Sequence, residues 1–325
     1  MFNKKGIALS ISFLAVSAGC AEQAAPDVSA KAGAKSSSVA TPKAKPSLAD
    51  ARRGFVTKLG NPQPVGTAVP KPPPEVFRLI KYSSPVGDLS AYLTPDPGDG
   101  RKHAAIVWIT GGDSNSISEL WEPAPRENDQ TAAAYRKAGI VMMFPSLRGG
   151  NDNPGRREGF LGEVDDVLAA ADYLAAQPYV DPARLYLGGH STGGTLVMLV
   201  AEIRGRFCAA FAFGPADDVR RYGGKFVYHR PGDIKETVLR SPGYWLDSVR
   251  APLFVIEGTD GNIESLKEMQ KKSTNPRIHF VAVPGVDHFK ILAPANEMIA
   301  SKILADKGSA PGITLSAQEL KGNER

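Results

Sequence analysis

Cysteine is scarce in this sequence: Cys20 and Cys208 are the only two among 325 residues. A disulfide-stapled scaffold is thereby excluded, and Cys208, inside the apolar stretch Phe207 to Phe213, reads as a small buried hydrophobe. No apolar run reaches the roughly 20 residues that a membrane-spanning helix needs. Nor is there an excess of one charge on the body of the chain. The net charge of +5 belongs to residues 1–53, where eight Lys and Arg face three Asp and Glu, so everything from Gly54 onward sums to zero. A nucleic-acid surface calls for a basic excess on the folded part, and no such partner is expected. Neither glycine nor heptad periods occur, which removes collagen-like and coiled-coil readings. What remains, 42% hydrophobic and 22% charged residues, is ordinary globular composition, enough for one large domain.

The first residues carry an export pattern: Lys4 and Lys5, an apolar run from Ile7 to Val16, then the small residues Ser17, Ala18 and Gly19 before Cys20. This reads as a signal peptide over residues 1–19. Small residues leading into a cysteine resemble the site at which bacterial lipoprotein precursors are cut and lipidated, with Cys20 as the acylated residue and a membrane anchor as the consequence. Ser17 stands where those sites usually carry an aliphatic residue, and ordinary signal cleavage near Ala18 is the alternative. Residues 20–53 are mostly Ala, Lys, Ser and Pro and are expected to be a disordered tether. A Pro-rich arm follows over 54–75, a catalytic domain over 76–307 and a C-terminal tail over 308–325.

Within the domain, apolar strand-like runs alternate with helical patterns. Strands are expected at Val76–Tyr82, Leu89–Leu93, Ala104–Ile109, Ile140–Phe144, Arg184–Leu187, Ala209–Phe213, Pro252–Ile256 and His279–Val283. Between Gly162 and Gln177, Val164, Val167, Leu168, Ala171 and Leu174 share one helix face. The fold class is therefore α/β, with a mostly parallel central sheet and helices on both faces.

The run Gly189-His190-Ser191-Thr192-Gly193 has the Gly-x-Ser-x-Gly spacing of a nucleophile elbow, a strained turn from strand to helix that projects the serine from the sheet edge. A serine needs a base, and the base an orienting carboxylate. Histidine is also sparse, with five in the chain. His288 alone follows the last strand and precedes the last helix, whereas His190 is expected to point away. For the acid, Asp260 lies in a Gly-flanked loop after strand Leu253–Ile256, with Glu257 three residues earlier as the alternative. The oxyanion site is expected from the Thr192 N–H and from the loop holding Gly111 and Gly112.

From about Val76 to Lys307 the sequence resembles the catalytic domain of the prolyl oligopeptidase family of α/β-hydrolases. The resemblance is carried by Arg148-Gly149-Gly150-Asn151, Asp165-Asp166, Tyr179 to Arg184, the elbow itself, Gly258-Thr259-Asp260 and Gly285 to Phe289. It implies an α/β-hydrolase fold with a small lid insertion and a Ser191–Asp260–His288 triad. Two departures accompany it. Only a tether and arm precede the domain where larger members carry a β-propeller, and Thr110 stands in place of the usual histidine before Gly111-Gly112.

Arg148 either contacts substrate or braces the strand-end loops. The Pro215–Trp245 segment, with Tyr228 and Trp245, is long enough for a small lid whose aromatics either line a pocket or pack the lid. The resulting expectation is an exported serine hydrolase, a peptidase or carboxylesterase, needing no cofactor or metal and acting on a small ester or short peptide. A non-catalytic envelope lipoprotein that uses the fold for binding is the competing reading.

Overall fold

A computed structural model describes residues 45–60, 63–64, 66–308 and 312–322; the expected signal peptide and Cys20 lie outside them. Eight strands form one sheet: β1 (Arg78–Ser84), β2 (Gly87–Leu93), β3 (His103–Ile109), β4 (Val141–Pro145), β5 (Val180–His190), β6 (Ala209–Phe213), β7 (Leu253–Gly258) and β8 (Ile278–Val283). Their order is β1-β2-β4-β3-β5-β6-β7-β8. Only β2 runs against its neighbours; the pairs from β4 to β8 are all parallel. All eight lie within a few residues of the expected runs, and the connectivity is that of the α/β-hydrolase fold.

Strands β4, β6 and β7 are buried along their whole length, as parallel strands covered on both faces must be. Their alternation feeds two apolar layers. Ala105, Val107 and Ile109 of β3 join one layer with Val164, Val167 and Leu174 of helix α3 (Glu163–Ala175) and with helix α4 (Thr192–Ile203). Ala104, Ile106 and Trp108 join the other. There they pack with Tyr135 of helix α2 (Ala133–Lys137) and with Ile299 and Ile303 of helix α7 (Leu292–Ala305), which follows helix α6 (Ile263–Lys272) in the chain.

The segment read as tether ends inside the fold. Helix α1 (Leu48–Arg52), capped by Ser47, buries Leu48 completely. The Leu48 N–H donates to Ser248 Oγ at 3.2 Å, and Arg52 pairs with Asp165 at 2.8 Å. Leu48 is the only leucine between Ala21 and Arg53, and its burial is what fastens this stretch. The arm continues along the domain: Lys58 N–H donates to Glu236 Oε1, Gly60 N–H to the Tyr228 carbonyl, and Tyr92 OH to the Pro70 carbonyl. At the other end the expected tail contains helix α8 (Ala317–Gly322), which buries Leu320.

The segment expected to form a lid is packed rather than loose. Its helix α5 (Ile234–Arg240) holds the fully buried Arg240 against Glu236 at 2.5 Å, and Arg240 also donates to Thr57 Oγ1 and to the Glu158 carbonyl. Cys208, expected to be buried, is half-buried, with its thiol 2.8 Å from the Ala183 carbonyl.

Candidate active site

Parallel strands share one carboxyl edge, and the residues singled out for chemistry leave that edge in succession. Between β5 and α4 a single residue makes the turn: Ser191, with φ 55° and ψ −114°. A non-glycine residue held there costs of order 1–3 kcal/mol. The turn is fastened by the Ser191 N–H, which donates to the Phe213 carbonyl of β6 at 2.7 Å. Gly193 lets the start of the helix close on the end of β3, since a β-carbon there would lie 2.7 Å from the Thr110 carbonyl oxygen.

His288 stands after β8, and its Nδ1 lies 2.8 Å from Glu257 Oε2. The partner is therefore Glu257 and not Asp260. Asp260 is exposed and engaged by the Thr259 hydroxyl. The reason is steric and local. Glu257 is the penultimate residue of β7 and completely buried, with its Oε1 accepting the Gly258 N–H. Gly214 and Gly261 leave it room. A β-carbon at 214 would lie 2.5 Å from His288 Nδ1 and 2.6 Å from Glu257 Oε2, and one at 261 would lie 2.6 Å from Glu257 Oε1. An acid near the end of an otherwise wholly apolar strand was the signal in the sequence. Asn262 adds a contact from the next loop, its Nδ2 being 3.3 and 3.4 Å from the two ring nitrogens of His288.

The loop after β3 reaches Ser191 from the other side: a β-carbon on Gly111 would lie 3.3 Å from Ser191 Cβ. Its Gly111 N–H, expected to face the reacting carbonyl, instead donates to Gln130 Oε1 at 3.1 Å. The loop is joined to the elbow by Thr192 Oγ1, which donates to the Gly112 carbonyl at 2.9 Å. As the first residue of α4, Thr192 has no helical acceptor for its own N–H.

His190 does not point away. It is buried, its Nε2 is 3.0 Å from the His288 carbonyl and its Nδ1 2.8 Å from Gln130 Nε2. Burial, reinforced by the neighbouring His288, pulls its pKa down to about 3, so the ring is neutral at ordinary pH.

The three residues weighed as pocket lining take the other role that the sequence left open for them. Arg148 is buried and bound by Asp166 on Nε and Nη2 and by Glu158 on Nη1, so it braces the loop after β4 against α3. Trp245 is buried in the apolar layer and donates from Nε1 to the Val238 carbonyl. Tyr228 holds the arm through its carbonyl and interacts with Arg157. Two cavities flank the site. One of about 480 Å³ is walled by Thr110, Gly111, Gln130 and Arg157 and by Pro64, Thr67 and Pro70 of the arm. The second, about 380 Å³, lies on the His288 side between Gly214, Tyr222, Gly261 and Asn262. The arm's part in a wall carried no sequence signal.

Comparison with known proteins bears on this geometry. The model of the prolyl oligopeptidase family matches residues 127–295. The chain is similar to a dual function macrocyclase-peptidase of Galerina marginata, 32% identical over 37% of this chain and 17% of that one. It is also similar to an uncharacterized peptidase of Bacillus subtilis, 25% identical over 55% of this chain and 75% of that one. Among solved structures it is similar in fold to a puromycin-hydrolyzing peptidase of Mycobacterium tuberculosis, with TM-score 0.55, 20% identity and 71% and 39% of the two chains covered. An esterase of Pyrobaculum calidifontis aligns with TM-score 0.52 and 18% identity over 70% and 85%. The matched region thus spans a small part of the fungal relative and under half of the mycobacterial one.

Proposed function

The chain belongs to the prolyl oligopeptidase family of serine hydrolases, and we propose that it cleaves small esters or short peptides through an acyl-enzyme on Ser191. The observation that carries this reading is the hydrogen bond between Glu257 and His288 at the same sheet edge as the strained Ser191 turn. In the reaction, Ser191 Oγ attacks the carbonyl carbon while His288 Nε2 takes its proton. Glu257 holds Nδ1–H, fixing the tautomer and balancing the imidazolium that forms. The oxyanion is met by the Thr192 N–H and, with Gly111 engaged elsewhere, by the Gly112 N–H. His288 then protonates the departing alcohol or amine. Water, deprotonated by His288, releases the acid and restores Ser191.

No hydrogen bond joins Ser191 to His288 among the described residues, a looseness common before substrate tightens the site. The test is covalent. A fluorophosphonate probe should label the wild-type protein and not Ser191→Ala, and aryl-ester turnover should vanish with the same substitution. An unlabelled wild-type protein would leave the binding-only reading in its place.

A further inference from the structure

We propose that Gln130 and His190 form a positioning link that sets the oxyanion loop and His288 in register with each other; the inference rests on the hydrolase reading above. The loop after β3 and the loop after β8 are far apart in sequence, yet both must meet one carbonyl group. A displacement of about 1 Å between such groups can cost on the order of 100-fold in rate.

The link has a single consistent arrangement of protons. The Gly111 backbone N–H can only donate, so the atom 3.1 Å from it is the Gln130 oxygen. That fixes the amide, and its two N–H groups go to Asn128 Oδ1 and to His190 Nδ1, each at 2.8 Å. His190 Nδ1 is therefore an acceptor. The ring's proton sits on Nε2 and is donated to the His288 carbonyl, 3.0 Å away, which can only accept. One side chain thus holds the oxyanion loop, the next holds the main chain of the general base, and the two imidazole rings lie 4.4 Å apart between centroids.

The ground beneath Gln130 is also fixed. Ala132, two residues on, is held in the left-handed region at φ 45°, and the Thr131 N–H and hydroxyl both donate to Asp129 Oδ1. Non-glycine residues take that conformation only where the surroundings impose it. The link also explains why Gly111 is not an oxyanion donor: its N–H is the anchor.

The experiment is nitrogen NMR of the histidine rings in the full chain at neutral pH, together with ester kinetics. His190 is expected as the neutral ring protonated on Nε2. Gln130→Glu, which offers Nδ1 a carboxylate instead of an N–H, is expected to add a proton there. Gln130→Ala is expected to lower kcat about 10-fold while KM stays within about 2-fold, with the melting temperature showing that the protein is folded. A wild-type His190 protonated on Nδ1, or an unchanged kcat in folded Gln130→Ala, overturns the link. If the wild-type protein neither turns over esters nor takes the fluorophosphonate, the hydrolase reading fails separately. The His288 ring signals then replace kcat, and their failure to shift in Gln130→Ala overturns the link.

Discussion

Glu257 Oε2 and His288 Nδ1 stand 2.8 Å apart, with the carboxylate sealed inside the sheet and the ring 13% exposed at its edge. A buried carboxylate needs such a partner, because desolvation without one is costly. The pair is thus both a packing solution and a candidate for catalysis.

Glu257→Gln keeps the shape and removes the charge, leaving the imidazole free to take the wrong tautomer. The kcat for an aryl ester should fall on the order of 10⁴-fold. Asp260→Asn, which touches only the Thr259 hydroxyl, should change it less than about 3-fold, a difference of well under 1 kcal/mol. The reverse order of effects would return the acid to Asp260.

Gly214→Ala places a β-carbon 2.5 Å from His288 Nδ1 at a position with φ 54°. The backbone penalty is about 1–2 kcal/mol, while the intrusion breaks the contact between His288 and Glu257. Steady-state kinetics should therefore show a far larger loss than thermal melting does.

Glu202 in α4 is buried with no hydrogen-bond partner on either oxygen, and burial pushes its pKa well above the ordinary 4.5. A carboxyl with a raised folded-state pKa adds no charge-burial penalty below its unfolded value. It costs progressively more stability as pH rises from there toward the folded value. Glu202→Met should accordingly stabilise the protein by about 1–3 kcal/mol at neutral pH, and melting curves should show the gain shrinking as pH falls to about 4. A melting difference that does not vary with pH would mean that the carboxyl has found a partner in solution.

For substrate choice, the cavity of about 480 Å³ beside the oxyanion loop suits a short group. The ion pair in its wall, Asp113 with Arg157, is internally neutral. Short-chain aryl esters should turn over faster than matched amides, and blocking a peptide's amino terminus should change kcat/KM by less than about 10-fold, or ~1.4 kcal/mol. Activity confined to free-amino dipeptide release would refute this.

The export pattern of residues 4–20 leads to a separate proposal, anchoring through Cys20. The wild-type protein should fractionate with membranes, and Cys20→Ser should abolish acylation and alter processing. A mature protein beginning beyond Cys20 and found in the soluble fraction would exclude the anchor.

Periodicity and turn chemistry made the eight strands, the elbow and His288 legible in the sequence, because these depend on neighbours a few residues away. Burial alternates with the pleat, and Gly-x-Ser-x-Gly reports its own backbone strain. The choice between Glu257 and Asp260 was not local. It turned on which carboxylate the space left by Gly214 and Gly261 admits, and those glycines belong to different strand ends. Arg148, Tyr228 and Trp245 stayed open between pocket and packing roles for the same reason: a charged or aromatic side chain in a loop carries no mark of what it will pack against. Helix α1 was hidden in a polar stretch because a single leucine has no period, and its burial depends on a surface supplied by α4 and α5, some 150 to 190 residues further along the chain. Sequence sets the elements through short-range sterics and hydrophobic period. Which side chains meet at the carboxyl edge is set by the crossovers of the sheet, and only the folded chain brings those together.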